Sequence, residues 1–563
     1  MRQLATLVFS ILVLFPGCRG AGDKGPSGAV VLPDDAADAV EAISEAALRE
    51  SVTRIASDEM MGRAPGTEGD RLARAYLAKR LQGAGFQPAF GEDGWEQPMK
   101  MVGVTTKLPE KWTFRDGSGG EISLDLRDEF VGTAGVQKSV ATIDEAELIF
   151  VGYGITAPEE GWDDFKDVDL EGKVLLMLND DPDWDPELFA GERRLYYGRW
   201  IYKYEVAAAK GALGAIIVHT DLSAGYPWSV VLTGWSGEQF ELPEGEEPRL
   251  QFKAWVTEAA ALRLARAAGE DLDDLVERAR ARDFVPVSLG LMTSLDLAVE
   301  IRETQTANVG GVLRGSDPVL AGEVVVISAH HDYFGIGEPD ETGDRIYNGA
   351  LDNGVAMAQV LALADAFAAL SKPPRRSVMV LFPAAEEQGL LGSKYFTEHP
   401  SVHPGRMAAN INFELGNIWG RTRDVTIFGK GKSTLEDLLV ELADEQGRYV
   451  TQESTPRSGW YYRSDQFSFA RVGVPAIWFK SGTDFIDRPE GWGEERYAEW
   501  IQRNYHRPSD EIEDWWSFEG MVEDARLGFW LSLSVASADR MPRWYPGDEF
   551  EDERLATLAE WLR

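Results

Sequence analysis

The sequence predicts an α/β protein: a mixed, mostly parallel sheet sandwiched by helices and carrying an inserted α+β domain. Three observations predict it. Short apolar runs such as Glu323 to Ala329 (EVVVISA) and Ser377 to Phe382 (SVMVLF) lack polar alternation, the pattern of strands buried on both faces. Helical stretches, Val355 to Leu370 and Ser433 to Gly447, separate such runs in the C-terminal half. From about residue 107 to 290 the chain changes to shorter strands and turns.

At 563 residues the chain is long enough for two or three domains. There are 94 acidic against 56 basic residues, a net charge of −38, and no basic run of five. Such a surface repels phosphate, so nucleic acid is not an expected partner, and anionic membrane surfaces are disfavoured too. The single cysteine, Cys18, excludes an internal disulfide. Before it stand one basic residue, Arg2, and an apolar run from Leu4 that is too short to span a bilayer. Phe15-Pro16-Gly17-Cys18 places a small residue before the cysteine and resembles a bacterial lipoprotein cleavage site. The expectation is a signal peptide at 1–17, export to the cell envelope and a lipid anchor at Cys18.

A Gly-, Ala-, Pro- and Asp-rich tether is expected at 18–38, and the first part of the main domain at 39–106. Thr67 is placed to cap a helix whose apolar face reads Leu72, Ala75, Tyr76, Ala78 and Leu81, stopped by Gly83 and Gly85. In the inserted domain, 107–290, Ala146 to Tyr153, Lys173 to Leu178 and Gly214 to His219 read as strands, Tyr202 to Lys210 as a helix, and Thr257 to Arg282 as another. His219, alone at a strand end, reads as structural. From 291 to 563 strand, loop and helix alternate, with further strands at Met407 to Phe413, Val425 to Gly429 and Val474 to Phe479.

The residues just beyond three of these strands carry the chemistry. His330, His331 and Asp332 come after Glu323 to Ala329, Glu386 and Glu387 after the run that begins at Ser377, and Glu414 after Met407 to Phe413. The carboxyl edge of a parallel sheet is where α/β proteins place ligands. Adjacent carboxylates there must share a proton or a cation, because like charges a few ångströms apart resist ionisation together. Asp352, in the loop YNGALDNGVA, and His506, in NYHRPSDE, add two further donors. Two imidazoles with three carboxylates suit zinc and exceed the needs of one tetrahedral ion; they match two ions bridged by one carboxylate. His399 and His403, in EHPSVHP, read as surface loop residues.

The blocks SAHHDYFG, YNGALDNGVA, PAAEEQGLLGS, NINFELGN, RSDQFSFARVGVPAI and YHRPSDE occur in order. Together they resemble the signature blocks of the di-zinc exopeptidases that include secreted bacterial aminopeptidases, glutamate carboxypeptidase and the transferrin-receptor ectodomain. The segment from Ile55 to Phe86 resembles that family's N-terminal block, and VGYGITAPEEGWDDFKDVDLEGKVLLML resembles the protease-associated (PA) domain inserted into such enzymes. The resemblance implies a zinc-exopeptidase, phosphorylase/hydrolase-like fold with two Zn2+ per chain. It implies His330, Asp352 and Glu414 as ligands of one ion, and Asp352, Glu387 and His506 of the other, Asp352 bridging. Glu386 is implied as general base, Asp332 as the carboxylate that orients His330, and Tyr505 as a donor to the developing oxyanion. His331 is the alternative to His330. Tyr333, Gln466 and Gly354-Val355-Ala356 depart from the family pattern without removing a ligand.

The activity so implied is removal of N-terminal residues from peptides with a free N-terminus, through a bridging hydroxide formed when Glu386 takes a proton from water. Carboxypeptidase action or glutaminyl cyclisation on the same fold is the alternative, and a non-catalytic receptor-like binding protein is the alternative of another class. An acid-specific carboxypeptidase needs clustered cations, for which Arg457, Arg463 and Arg507 are the candidates.

Overall fold

The computed structural model describes residues 32–92, 94–186 and 188–563. The expected signal peptide, Cys18 and most of the tether lie outside these residues. The tether's last residues are already folded, with Ala36 buried in the helical turn Ala36–Ala39.

The chain divides into two compact units, one comprising the described residues up to Met99 with Gln305–Glu453 and Ser464–Arg563, the other Lys100–Thr304 with Ser454–Arg463. These limits differ from the expected 107–290 insertion because strands Glu96–Lys107 and Val287–Leu313 run through both junctions without a turn, and turns are the boundary signal in a sequence. Assignment of Ser454–Arg463 to the second unit has no compositional signal.

In the first unit the chain forms helices α1 (Glu45–Ile55) and α2 (Glu68–Gly83) before reaching the sheet. Its strands are β1 (Val287–Leu313, through its C-terminal part), β2 (Val324–Ser328), β3 (Ser377–Phe382), β4 (Met407–Asn412), β5 (Asp424–Ile427), β6 (Tyr449–Gln452) and β7 (Ala476–Ser481). They lie in the order β1-β3-β2-β4-β7-β5-β6. Strands β3, β2, β4 and β7 are parallel; β1 is antiparallel to β3, and β5 to β7. The sheet is therefore open, mixed and mostly parallel, as the apolar runs predict. Every residue of β2, β3 and β4 is buried, which explains the absence of polar alternation in their sequences. Helices α3 (Ala356–Ala369), α4 (Thr434–Glu445), α5 (Gln466–Arg471) and α6 (Glu519–Ser537) complete the layers. Ser433 caps α4 in a reciprocal capping box with Glu436.

Helix α2 is capped by Thr67 as expected, but its buried stripe is Ala73, Leu77 and Leu81, while Ala75 is exposed and Leu72, Tyr76 and Ala78 are half-buried. Apolar residues occupy nearly every side of this segment, so spacing alone does not fix its phase.

In the second unit Val140–Phe150, Val174–Leu178, Gly214–His219 and Phe252–Thr257 form parallel neighbours, and Phe130–Ala134 closes one side antiparallel. The core is centred on Trp112, fully buried against Phe114, Phe130 and Phe252, its indole N–H donating to Thr293 Oγ1 at 2.8 Å. The helix expected over Thr257–Arg282 is two helices, Glu258–Ala267 and Leu272–Ala279. Gly269 takes φ +77° and Asp271 caps the second helix through the N–H groups of Asp273 and Asp274, so the break is built from a stop signal and a start signal close together. His219 is buried, its Nε2 3.1 Å from Tyr226 O, in keeping with a structural role.

Candidate active site

Strands β3, β2 and β4 are adjacent and parallel, so their carboxyl ends open onto one edge of the sheet. There β2 delivers His330, His331 and Asp332, β3 delivers Glu386 and Glu387, and β4 delivers Glu414. The loop before α3 brings Asp352, and the loop after Trp492–Arg503 brings His506. Three positions in this neighbourhood hold non-glycine residues in left-handed backbone: Ala385 (φ +55°), Leu415 (φ +55°) and His506 itself (φ +57°). Each such residue costs about 1–3 kcal/mol and persists where surrounding contacts dictate it. Gly349 also has positive φ, and a Cβ there would lie 2.3 Å from Asp352 O and 2.7 Å from the Tyr333 ring, so only glycine fits beside the Asp352 loop.

The Asp352 carboxylate lies between the two imidazoles. Its Oδ1 is 3.4 Å from His330 Nε2 and its Oδ2 is 3.5 Å from His506 Nε2. On the His330 side Glu414 Oε1 stands 3.3 Å from Nε2; on the His506 side Glu387 Oε2 stands 3.3 Å from Nε2. Glu386 Oε2 is farther out, 3.9 Å from His330 Nε2. The sheet thus brings together His330, Asp352, Glu386, Glu387, Glu414 and His506. Asp332 Oδ1 is 3.6 Å from His330 Nδ1, beyond a normal hydrogen bond, and its carboxylate accepts the N–H groups of Glu386 (3.0 Å) and Glu387 (3.3 Å). The Tyr505 ring stacks on His506 with centroids 3.7 Å apart. His331 is turned away: its Nε2 is 3.1 Å from Asp70 Oδ1 and its Nδ1 is 3.2 Å from Phe382 O, so both ring nitrogens are engaged elsewhere.

The residues fit a divalent cation. His330 Nδ1, Asp352 Oδ1, Glu387 Oε1 and His506 Nε2 are buried without a hydrogen-bond partner among the described residues. Donor atoms of His330, Asp352 and Glu387 lie within 4.8 Å of one another. Mixed imidazole and carboxylate donors are those zinc takes. Among the described residues no Lys or Arg lies within 4 Å of these carboxylates, so their charge has no cationic partner beyond the two imidazoles.

Contacts around the ligands are invisible to spacing arguments because they come from other segments. Glu414 Oε2 accepts from Ser464 Oγ at 2.8 Å and from Asn353 Nδ2 at 3.2 Å, which holds this longer side chain in place. The N–H of His506 donates to Tyr333 Oη at 3.0 Å. Ser464 lies at the start of the block RSDQFSFARVGVPAI and Asn353 adjoins a ligand directly, so both fall within the motif stretches.

Electrostatics arise from this packing. Burial raises Glu386 and Glu387 well above the usual carboxylate range, and neighbouring carboxylates add to it. Burial likewise pushes Asp465 and Asp510 up to about 7. For His330 burial acts downward, but Glu414 and Glu386 outweigh it and hold the imidazole well above its ordinary value. Burial would raise Asp352 too, yet His330 and His506 overcome it and keep it ionised. Between about pH 5 and 7 the metal-free folded protein therefore holds more protons than the unfolded chain at Glu386, Glu387, Asp465, Asp510 and His330. Its stability falls as pH rises through that window, because stability declines with pH wherever the native state binds the extra protons. Urea unfolding of metal-free protein at pH 5, 6 and 7 checks this; a free energy that rises across the window contradicts it. Loading with zinc should flatten or reverse the decline.

Residues 308–524 match the family model described as Peptidase family M28. This stretch is similar to the M28 peptidases. It runs from Asn308, within β1, to Asp524, within α6, and contains His330, Asp332, Asp352, Glu386, Glu387, Glu414, Tyr505 and His506. Over 216 residues the chain is 27% identical to a vacuolar membrane protease of Verticillium alfalfae, an alignment that takes 38% of this chain and 17% of that protein. The chain thus spans about a sixth of that curated relative's length. Among solved structures, an aminopeptidase from Aneurinibacillus sp. strain AM-1 aligns at 19% identity over 91% of this chain and 97% of its own, with TM-score 0.48. A peptidase M28 precursor from Shewanella amazonensis aligns at 19% identity over 91% and 97% with TM-score 0.42. BSAP, a zinc aminopeptidase from Bacillus subtilis, aligns at 16% identity over 86% and 93% with TM-score 0.40. His330, Asp332, Asp352, Glu386, Glu387, Glu414, Tyr505 and His506 all belong to the first of the two units.

Proposed function

We propose that the protein is a zinc-dependent aminopeptidase acting on peptides with a free N-terminus. The observation that carries this reading is the Asp352 carboxylate, which presents one oxygen to each of two imidazoles while Glu414 and Glu387 flank it on either side. One cation would be held by His330, Asp352 and Glu414, the other by Asp352, Glu387 and His506, each set leaving a position for water or substrate. Such ions, when bound, polarise a carbonyl and lower the pKa of water. Glu386, outside both ligand sets but at their edge, takes the proton of the attacking water and returns it to the leaving amine. A carboxyl whose proton affinity is raised by burial is suited to both transfers. Asp332 holds the Glu386-Glu387 turn by its two backbone N–H groups and so fixes the base relative to the ligands. Tyr505, stacked on His506, is assigned to the developing oxyanion.

The charge of the site favours an α-ammonium group. The acidic side chains of Asp332, Asp352, Glu386, Glu387 and Glu414 surround two imidazoles, with Asp465 within electrostatic reach, a setting that favours a cationic over an anionic substrate end. Of the arginines that an acid-specific carboxypeptidase would need, Arg457 is paired with Asp183 at 2.7 Å. The second unit is assigned as a PA domain on the sequence resemblance of its VGYGITAPEEGWDDFKDVDLEGKVLLML stretch. Export is assigned on the N-terminal sequence; among the described residues no helix is long and apolar enough to cross a membrane.

A panel of aminoacyl anilides, their N-acetyl counterparts and C-terminally free N-blocked peptides tests the reading. Hydrolysis of the free-amine anilides alone, abolished by a chelator and restored by zinc, is the expected result. Cleavage of N-blocked peptides from their C-termini would replace it with the carboxypeptidase alternative.

A further inference from the structure

Two buried charged residues outside the ligand set tie the loops of the site together. Asp510, 1% exposed, lies a few residues beyond His506. Its Oδ1 accepts the N–H of Leu351 at 2.9 Å and its Oδ2 the N–H of Asp352 at 3.0 Å, while its main-chain oxygen accepts the N–H of Ala350 at 3.0 Å. Three consecutive amides of the Asp352 loop are thus fastened to one residue of the His506 loop. Arg63, fully buried with φ +54°, does the complementary task with carbonyls. It donates to His331 O (2.9 Å), Ile55 O (2.9 Å), Asn348 O (2.6 Å) and Gly349 O (3.0 Å). It therefore joins the end of β2, which carries His330, to the beginning of the Asp352 loop.

We propose that Asp510 is the positioning residue for Asp352: through the backbone amide of that residue it sets the place of the carboxylate shared by both cation sites. The inference rests on the di-cation reading of the site. The Asp510 carboxylate accepts only from backbone amides of the loop, and it makes no hydrogen bond or ion pair with His330, Glu387, Glu414 or His506 among the described residues. Its influence on the reaction passes through Asp352. The effect is large for two physical reasons. A bridging ligand must satisfy two coordination spheres at once, each tolerant of only about 0.2 Å. Moreover, the Leu351 and Asp352 amides are buried, and removal of the acceptor leaves both without a partner, which favours a rearranged loop. An anion between two buried amides needs a compensating cation nearby, and the positive field of Arg63 acts in that sense.

Asp510 lies within the block YHRPSDE, but sequence alone does not show which amides its carboxylate accepts. The experiment compares wild-type protein with Asp510→Ala and Asp510→Asn, the second retaining one acceptor oxygen. Zinc affinity is read by titration against a competing chelator, the thermal midpoint on metal-free protein, and kcat and KM at saturating zinc. The expected result is a zinc affinity lowered ~10- to 100-fold in Asp510→Ala, the scale seen when groups supporting metal ligands are removed, with Asp510→Asn between it and wild type. At saturating zinc, kcat falls and KM for aminoacyl anilides stays near the wild-type value. Wild-type zinc affinity in either folded variant overturns the proposal, as does a loss of metal-free thermal stability with no change in affinity. If Asp510→Ala does not fold, Asp510→Asn decides. Wild-type protein that binds no zinc would remove the di-cation reading itself, a failure visible before any variant is compared.

Discussion

Glu386→Gln lowers turnover of aminoacyl anilides by ~10²- to 10⁴-fold, the range a positioned general base contributes, while zinc binding is unchanged. The expectation rests on the difference between two adjacent side chains. Glu387 Oε2 lies 3.3 Å from His506 Nε2 and belongs to the group of donor atoms able to enclose an ion. Glu386 Oε2 lies 3.9 Å from His330 Nε2, farther than Asp352 Oδ1 at 3.4 Å and Glu414 Oε1 at 3.3 Å. Both are held by the same Asp332 carboxylate, so the turn stays as it is when Glu386 loses its charge. Glutamine preserves shape and hydrogen bonding but cannot accept the proton of water. Zinc content per chain and kcat measured on the same sample separate base from ligand. A variant that retains wild-type kcat refutes the role; one that loses zinc makes Glu386 a ligand instead.

His506→Ala removes one of the two ions and lowers turnover by more than ~100-fold. After the change, Asp352 Oδ2 and Glu387 remain on that side, one donor short of the three protein ligands a catalytic zinc position keeps. The His330 side, with Glu414 locked by Ser464 and Asn353, keeps its full set. Stability should change little, within about 1 kcal/mol in the metal-free protein, because the His506 side chain is 29% exposed and sits in a loop. Zinc per chain near one, with wild-type unfolding, is the expected pair of readings. Two ions retained at wild-type affinity would remove His506 from the site.

The parts of this architecture that sequence reveals are those governed by burial on both faces. β2, β3 and β4 are mostly apolar because every residue in them is buried, and their ends mark where His330, Glu386, Glu387 and Glu414 emerge. Asp352 and His506 lie in loops, where residue type alone does not separate a ligand from a solvated side chain, and the ordered motif blocks are what select them. The features that stay hidden depend on distant chain segments. Arg63, Asp510, Tyr333 and Asn353 act through hydrogen bonds that reach across tens to hundreds of residues. The phase of α2 is hidden because apolar residues surround it, and the break at Gly269 is masked because the apolar pattern resumes at Leu272. Unit boundaries inside continuous strands carry no turn signal at all.

Anomalous X-ray scattering from crystals grown with zinc tests the central claim most directly. The account predicts two peaks about 3.5–4 Å apart, one against His330, Asp352 and Glu414, the other against Asp352, Glu387 and His506. A single peak, or strong peaks remote from Asp352, would contradict it.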